Sequence, residues 1–399
     1  MIFWLKAQLI NSGCSNKKPI NLVISECLTP TFFTQYNLAS KGKVISFMPR
    51  LLIAASGTGG HIYPALSFAD SLSNSWEIEW LGVSNRLEVE LVPEKYNLIK
   101  LKVGGLQGNI FRKMFDLCKL LFASIQVSVL LRQKEINVIF TTGGYISAPS
   151  IIGAKMAGIP ILLHESNAIP GKVTRLMGRF CDHVALGIPS ASEYLQRCRT
   201  SFTGTPVRSE FLLDKSLPSW VPRGEGLLIV VMGGSQGAVK MNEMVRNILP
   251  SLIEQGCRVV HLIGKNDCFY RNLNKDKSHP NLVERHFSDE IPALLQNADL
   301  AISRSGAGAI CELMVTKTPS ILIPFPSSTD HHQELNAAYM ASFGGAVIVN
   351  QHDPKKNILK NIVSNLLDSN SLNEMKLNML NYDYSYPEKK IFEIINSIS

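Results

Sequence analysis

The chain has 399 residues, enough for two domains that each bury their own core. Apolar residues make up 45% and charged residues only 18%, which excludes a disordered polar chain. The formal charge of +8 points to anionic partners such as phosphorylated substrates or an acidic membrane face. No RNP-type aromatic motif, zinc finger or basic-aromatic stripe accompanies that charge, so nucleic acid is not expected as a partner.

Eight cysteines, at 14, 27, 118, 181, 198, 257, 268 and 311, are scattered without a CxxC pair. That usage reads as reduced thiols, not as a disulfide framework or a zinc site. No run reaches the roughly 18 consecutive apolar residues of a spanning helix, so a soluble or peripheral protein is expected.

Residues 1–47 show no sustained period. The apolar start Met1-Ile2-Phe3-Trp4-Leu5 is cut by Lys6, too short for a secretory signal, and the segment reads as an appendage. Met48-Pro49-Arg50 then opens the first clear strand, and Met48 reads as a start. Residues 48–210 read as a first α/β domain, with strands near 50–55, 76–83, 98–103, 137–142, 160–165 and 183–187. Residues 211–226, with Pro218, Pro222, Gly224 and Gly226, read as a linker. Residues 227–384 read as a second α/β domain, with strands near 227–232, 258–263, 281–287, 300–304, 319–324 and 346–349. Pro387 opens a last helix within 385–399, whose stripe Ile391, Ile394, Ile395 and Ile398 is expected to pack back on the first domain.

Two glycine-rich turns join a hydrophobic strand to a helix. Ser56-Gly57-Thr58-Gly59-Gly60-His61 follows Leu51-Leu52-Ile53, and Gly233-Gly234-Ser235-Gln236-Gly237-Ala238 follows Leu228-Ile229-Val230. Glycines permit sharp turning and close approach to a ligand, and the helix start offers free N–H groups and a positive dipole end. For either turn alone, an ordinary βα connection is the alternative. Neither turn is GxGxxG, there is no GxxxxGK[ST], and no two aspartates lie two apart to make a DxD metal clamp.

A third turn, Thr142-Gly143-Gly144-Tyr145, also follows an apolar strand, and His164-Glu165-Ser166-Asn167 ends another. Polar groups at the carboxyl ends of parallel strands are where open α/β sheets bind ligands, although His164 and Glu165 also read as a pair that orients a loop. In the second half, Ser303-Arg304-Ser305-Gly306-Ala307-Gly308-Ala309 leads into a helix carrying Glu312, which suits a ribose diol. Asp330-His331-His332-Gln333-Glu334-Leu335-Asn336 puts amides at i and i+3, suited to sugar hydroxyls. His331 and His332, adjacent on a helix, point apart and do not read as metal ligands.

Taken in order, GTGGH (57–61), TGGY (142–145), GGSQGA (233–238), SRSGA (303–307) with Glu312, and DHHQELNA (330–337) strongly resemble the family 28 GT-B glycosyltransferases of bacterial peptidoglycan synthesis. The resemblance spans residues 48 to about 398. Ser56 stands where the family has glycine, Ser166 where it has glutamine, and Thr205 where it has asparagine.

The resemblance implies two Rossmann-like, doubly wound parallel-sheet domains facing a cleft. It implies inverting transfer of N-acetylglucosamine from UDP-GlcNAc to the C4 hydroxyl of the muramyl sugar of lipid I, giving lipid II, with no cofactor and no metal. His61 is the candidate base, with a loop-fixing hydrogen bond as its alternative role. The implied donor site holds Thr58, Gly59, Gly60, Asn167, Arg208, Ser235, Gln236, Phe287, Ser288, Ala307, Gly308, Ala309, Glu312, Gln333 and Asn336. Gly57, Gly143, Gly144 and Tyr145 are expected to meet the acceptor pyrophosphate.

The prenyl tail of such an acceptor implies a peripheral place on the cytoplasmic face of a bacterial inner membrane. Association with other cell-wall synthesis proteins is also compatible with that place. Phe111, Arg112, Lys113, Met114 and Phe115 read as an exposed dock on anionic lipid, and the rest of that helix as core. Two alternatives remain open at this point: a different GT-B glycolipid synthase, or a UDP-sugar-binding module without turnover.

Overall fold

The structure, a computed structural model, describes residues 48–399 except 73–74, 85–86, 102–109, 235–236, 268–278, 354–356, 368–369 and 385; the side chains of 110–115 are also outside the description. Residues Met48–Ser399 form one compact unit. The 1–47 appendage lies outside the described residues.

The first half alternates strands and helices: β1 (Arg50–Ala54), α1 (Gly59–Ser71), β2 (Glu77–Val83), α2 (Glu88–Leu91), β3 (Asn97–Leu101), α3 (Ile110–Gln133), β4 (Val138–Thr141), α4 (Ser147–Ala157), β5 (Ile161–Glu165), α5 (Lys172–Met177), β6 (His183–Leu186) and β7 (Thr200–Phe202). The second half follows with β8 (Leu228–Met232), α6 (Val239–Arg246), α7 (Leu249–Glu254), β9 (Arg258–Leu262), β10 (Leu282–Arg285), α8 (Ile291–Asn297), β11 (Leu300–Ser303), α9 (Ala307–Thr316), β12 (Ser320–Leu322), α10 (His332–Ser342), β13 (Ala346–Ile348), α11 (Ile358–Leu367), α12 (Ser371–Asn378) and α13 (Pro387–Ile398).

The strands make two separate parallel sheets, ordered β3-β2-β1-β4-β5-β6-β7 and β10-β9-β8-β11-β12-β13. β1 lies between β2 and β4, with Ile53 opposite Trp80 and Phe140; β8 lies likewise between β9 and β11. In each sheet the chain therefore reverses its direction of travel at the strand that ends in a glycine turn. Such a switch point opens a crevice beyond the carboxyl ends of the strands.

Both faces of each sheet are covered, which explains the uninterrupted apolar strands. Leu51 and Ile53 pack with Ile62 and Phe68 of α1 on one face, and Leu52 and Ala54 with Val127, Leu131 and Ile151 of α3 and α4 on the other. α13 ends the chain on the first sheet's core: Ile391 and Ile395 are fully buried among Leu51, Ile53, Leu162 and Ala185. Proline at its first turn suits the entry, since no intrahelical N–H bond is lost there.

One expectation fails. The stretch of α3 after 115 is not all core, because Leu117, Leu121, Phe122, Ile125 and Val129 are each about half exposed or more. Their near-four-residue spacing lines them up along the outer side, while Val127 and Leu131 face the sheet. Residues 111–115 are helical, but their side chains are among those not described.

Replacing Ile395 with alanine removes buried methyl groups from the first sheet's core and should cost about 2–5 kcal/mol. A urea midpoint unchanged from that of the parent chain would show that α13 is not part of this core.

Candidate active site

The first glycine turn leaves β1 and enters α1 at Gly59, with Thr58 at its N-cap position. The carbonyl of Thr58 accepts the N–H groups of His61 and Ile62. This places His61 in the first helical turn, with its ring against the second turn, 142–145. His61 Nδ1 lies 2.7 Å from the carbonyl oxygen of Thr142, and Thr142 Oγ1 donates back to the carbonyl of His61 at 2.8 Å. A carbonyl oxygen only accepts, so in the neutral ring Nδ1 carries the hydrogen and Nε2 keeps the lone pair. That is the tautomer a general base needs. The same bond fixes the first turn against the second.

Glycine is required in the second turn. Gly143 and Gly144 have φ of 95° and 81°, and a Cβ on Gly144 would come within 2.8 Å of the Ser56 carbonyl. Ser56 itself does not have a positive φ, so its replacement of the family glycine strains nothing. Its buried hydroxyl has no partner among the described residues. Tyr145 is exposed.

Sequence reading missed Glu88. This carboxylate is fully buried and accepts the N–H of Val83 at 2.7 Å and of Gly57 at 3.4 Å. Gly57 is thereby anchored, with its N–H turned toward a carboxylate. Thr58, Gly59 and Gly60 lie at the start of α1, where N–H groups have no intrahelical partner. No spacing signal could have found Glu88, which lies 31 residues from Gly57.

His164 and Glu165 serve the loop after β5. Glu165 Oε1 accepts from the N–H and side-chain amide of Asn167, and Oε2 accepts from Gly171 N and Thr174 Oγ1. His164 is fully buried, with Nε2 at 3.0 Å from the Gly204 carbonyl, and burial pushes its pKa down. The pair orients Asn167 and the strand end that leads to Arg208.

Arg208 sits where the two lobes meet. Its guanidinium lies 4.8 Å from the ring of Tyr63 on α1 and 5.1 Å from that of Phe211, and it reaches Glu312 of α9 at 3.9 Å. Burial pushes Glu312 up to about 7, against the opposing pull of Arg208.

In the second lobe, the start of α9 at Ala307, with Gly308 and Ala309 in its first turn, presents unpaired N–H groups. A Cβ on Gly306 or Gly308 would meet nothing within 4 Å, so the space before this helix is open. Gly233, Gly234 and Gly237 form the turn beside it; Ser235 and Gln236 lie outside the described residues. Phe287 is exposed, while Ser288 is buried and accepts the N–H of Glu290 at 3.1 Å.

Gln333 Oε1 accepts the N–H of Phe325 at 2.9 Å. The loop that carries Phe325 is in turn held by the buried Arg304, which donates to the carbonyls of Ile323 and Pro324 and to Gln351. Burial lowers the Arg304 pKa to about 10. Asn336 is fully buried and bonded to Ala168, Asn167 and Ser305. Among the described residues, no three His, Cys, Asp or Glu side chains converge as a metal site would require.

The structure thus gathers Thr58–His61 and 142–145 at one crevice, and Gly233, Gly234, Gly237, 307–312 and Gln333 at the other. Asn167, Arg208 and Asn336 lie at the junction.

Models of the glycosyltransferase family 28 N-terminal and C-terminal domains match residues 51–186 and 228–388. A UDP-N-acetylglucosamine–N-acetylmuramyl-(pentapeptide) pyrophosphoryl-undecaprenol N-acetylglucosamine transferase of Prochlorococcus marinus (strain NATL1A) is 90% identical over 352 residues. That match covers 88% of this chain and all of the relative. The protein of the same name from Synechococcus sp. (strain CC9605) is 56% identical over 320 residues, covering 80% of this chain and 88% of that one. The crystal structure of Acinetobacter baumannii MurG has the same fold, with TM-score 0.70 at 24% identity over 88% of this chain and 99% of its own. The chain belongs to glycosyltransferase family 28, and its two facing parallel-sheet lobes are the GT-B fold.

Proposed function

We propose that this protein transfers N-acetylglucosamine from UDP-GlcNAc to the C4 hydroxyl of the N-acetylmuramyl-pentapeptide of lipid I, forming lipid II with inversion. The acceptor and donor follow from the 90% identical relatives. The observation that carries the chemistry is the His61 Nδ1–Thr142 carbonyl bond, which leaves Nε2 able to take a proton.

In the reaction, His61 Nε2 removes the C4 hydroxyl proton as that oxygen attacks the anomeric carbon. The bond from that carbon to the diphosphate breaks on the opposite face, and UDP leaves with the electron pair. Negative charge grows on the diphosphate. The N–H groups of Gly233 and Gly234 and of the α9 start, together with Arg208, are the donors we assign to its stabilisation. Glu312 takes the ribose hydroxyls, the backbone near Phe287 and Ser288 the uracil, and Gln333 the sugar. The acceptor pyrophosphate meets Gly59 and Gly60 at the start of α1 and the 142–145 turn.

A prenyl-linked acceptor requires contact with a membrane. No helix among the described residues is long and apolar enough to cross one. The exposed stripe Leu117, Leu121, Phe122, Ile125 and Val129 on α3 supports peripheral docking on a cytoplasmic bilayer face, with Lys119 and Arg132 also exposed on this helix. Each apolar side chain fully withdrawn from water there contributes about 1.5–3 kcal/mol, enough in combination for reversible association.

Replacing His61 with alanine should lower kcat by about 100-fold or more, with UDP-GlcNAc affinity unchanged in calorimetry. Turnover near that of the parent would leave His61 with a loop-fixing role only.

Glu312 sets a pH dependence. Its ionised form can accept from both ribose hydroxyls, whereas the protonated form, favoured below about 7, loses acceptor capacity. UDP-GlcNAc, whose diphosphate diester does not titrate in this range, should bind more weakly as pH falls from 8 to 5.5. The limit is about tenfold per pH unit below the pKa. The Glu312→Gln variant should bind weakly at every pH with a flat profile; a parent profile equally flat would remove Glu312 from the ribose.

The double replacement Leu121→Ser and Phe122→Ser should lower partition onto anionic vesicles by about tenfold or more. Both side chains are exposed, so thermal stability and UDP-GlcNAc affinity should hold. Unchanged vesicle binding would place the dock elsewhere.

A further inference from the structure

Asn336 belongs to α10 of the second lobe, yet its amide is spent largely on the first. Its Oδ1 accepts the N–H of Ala168 at 2.9 Å. Its Nδ2 donates to Asn167 Oδ1 at 3.2 Å and, within its own lobe, to the Ser305 carbonyl at 3.1 Å. A carboxamide has two donor hydrogens and an oxygen with two lone pairs. Both hydrogens and one lone pair are engaged, in a side chain with no exposed surface. A sugar hydroxyl would find at most one lone pair there and no room to approach it.

The groups Asn336 holds are themselves fixed. Asn167 is tied to Glu165, and Ser305 Oγ donates to the Gln333 carbonyl at 2.7 Å. A second bridge crosses the same junction nearby: Arg175 of α5 pairs with Asp330 in the turn before α10. Asp330 and His331 both adopt left-handed conformations, with φ of 53° and 56°, which side chains rarely take. The turn holds that shape where Asp330 reaches the opposite lobe. Alongside these bridges, α1, which carries His61, packs against α9, which carries Glu312.

We infer that Asn336 is a positioning residue, not a sugar ligand: with the Arg175–Asp330 pair it latches the lobes so that the base faces the donor. The inference rests on the donor site proposed above.

The test compares the full chain with its Asn336→Ala variant, titrated with UDP and with UDP-GlcNAc. It adds turnover and the hydrogen exchange of the Ala168 amide. The ratio of UDP-GlcNAc to UDP affinity should stay within about twofold, while kcat falls about tenfold and the Ala168 amide exchanges about tenfold faster, the scale of one buried hydrogen bond. Amides of the central strands β1 and β8 should stay protected. The Asn336→Asp variant keeps the acceptor and should keep Ala168 protected, yet lose turnover because both donors are gone.

A collapse of the affinity ratio in Asn336→Ala would make the residue a sugar ligand and overturn the latch. Unchanged kcat with unchanged Ala168 exchange would overturn it equally. If that variant does not fold, Arg175→Ala, outside the buried junction, should lower kcat by up to about fivefold with UDP affinity constant; no change would overturn the second bridge. A parent chain that binds neither nucleotide would instead overturn the donor-site reading, and the Ala168 exchange test would still stand.

Discussion

A hydrogen bond from His61 Nδ1 to the Thr142 carbonyl, returned by Thr142 Oγ1 to the His61 carbonyl, joins the two glycine turns of the first lobe. Much of the first crevice depends on that pairing. It orients the imidazole, selects its tautomer, and brings the turn after β1 against the turn after β4. The glycines are needed because the backbones approach so closely that a Cβ on Gly144 would strike the Ser56 carbonyl. Glu88 braces the same turn from behind, so its shape is set from both sides.

Around this pairing the charges divide by lobe. The first crevice carries an imidazole and helix-start N–H groups, with the buried Glu88 carboxylate bonded to the N–H groups of Val83 and Gly57. The second presents the α9 helix start, two glycine-rich turns and the buried cation Arg304. Between them Arg208 stacks on Tyr63 and Phe211 while lying 3.9 Å from Glu312. A guanidinium held by ring faces keeps its donors free to serve an anion, which a tight carboxylate pair would not. The raised pKa of Glu312 arises because burial outweighs the neighbouring positive charge.

The junction is polar: the Asn336 amide is satisfied there, while the buried Nε of Arg208 has no partner among the described residues. Buried amides there are engaged through their donors and acceptors, as a buried polar contact must be if it is to hold two lobes together without destabilising them. α13 adds an apolar tie of a different kind. It leaves the second lobe and buries Ile391 and Ile395 against the first sheet. Relative motion of the lobes must therefore bend the chain at its two crossings, near Arg208 and near Tyr386.

The sequence alone determined what depends on local order. Continuous apolar strands alternating with helices dictated two parallel sheets, because only buried parallel strands can be apolar on both faces. Glycines after β1, β4 and β8 marked the switch points, because only such turns let a helix begin there with its N–H groups open. The spacing of the motifs was sufficient to place the chain among GT-B transferases. Tertiary structure alone decided which side chains meet across distant segments. Glu88 reaching Gly57, Arg175 reaching Asp330, and Asn336 bonded to Ala168 instead of standing free on a helix face all join residues with no shared periodicity. The outward stripe on α3 belongs here too. Its apolar residues read as core by composition, and only the packing of Val127 and Leu131 against the sheet showed which side of the helix was left to solvent.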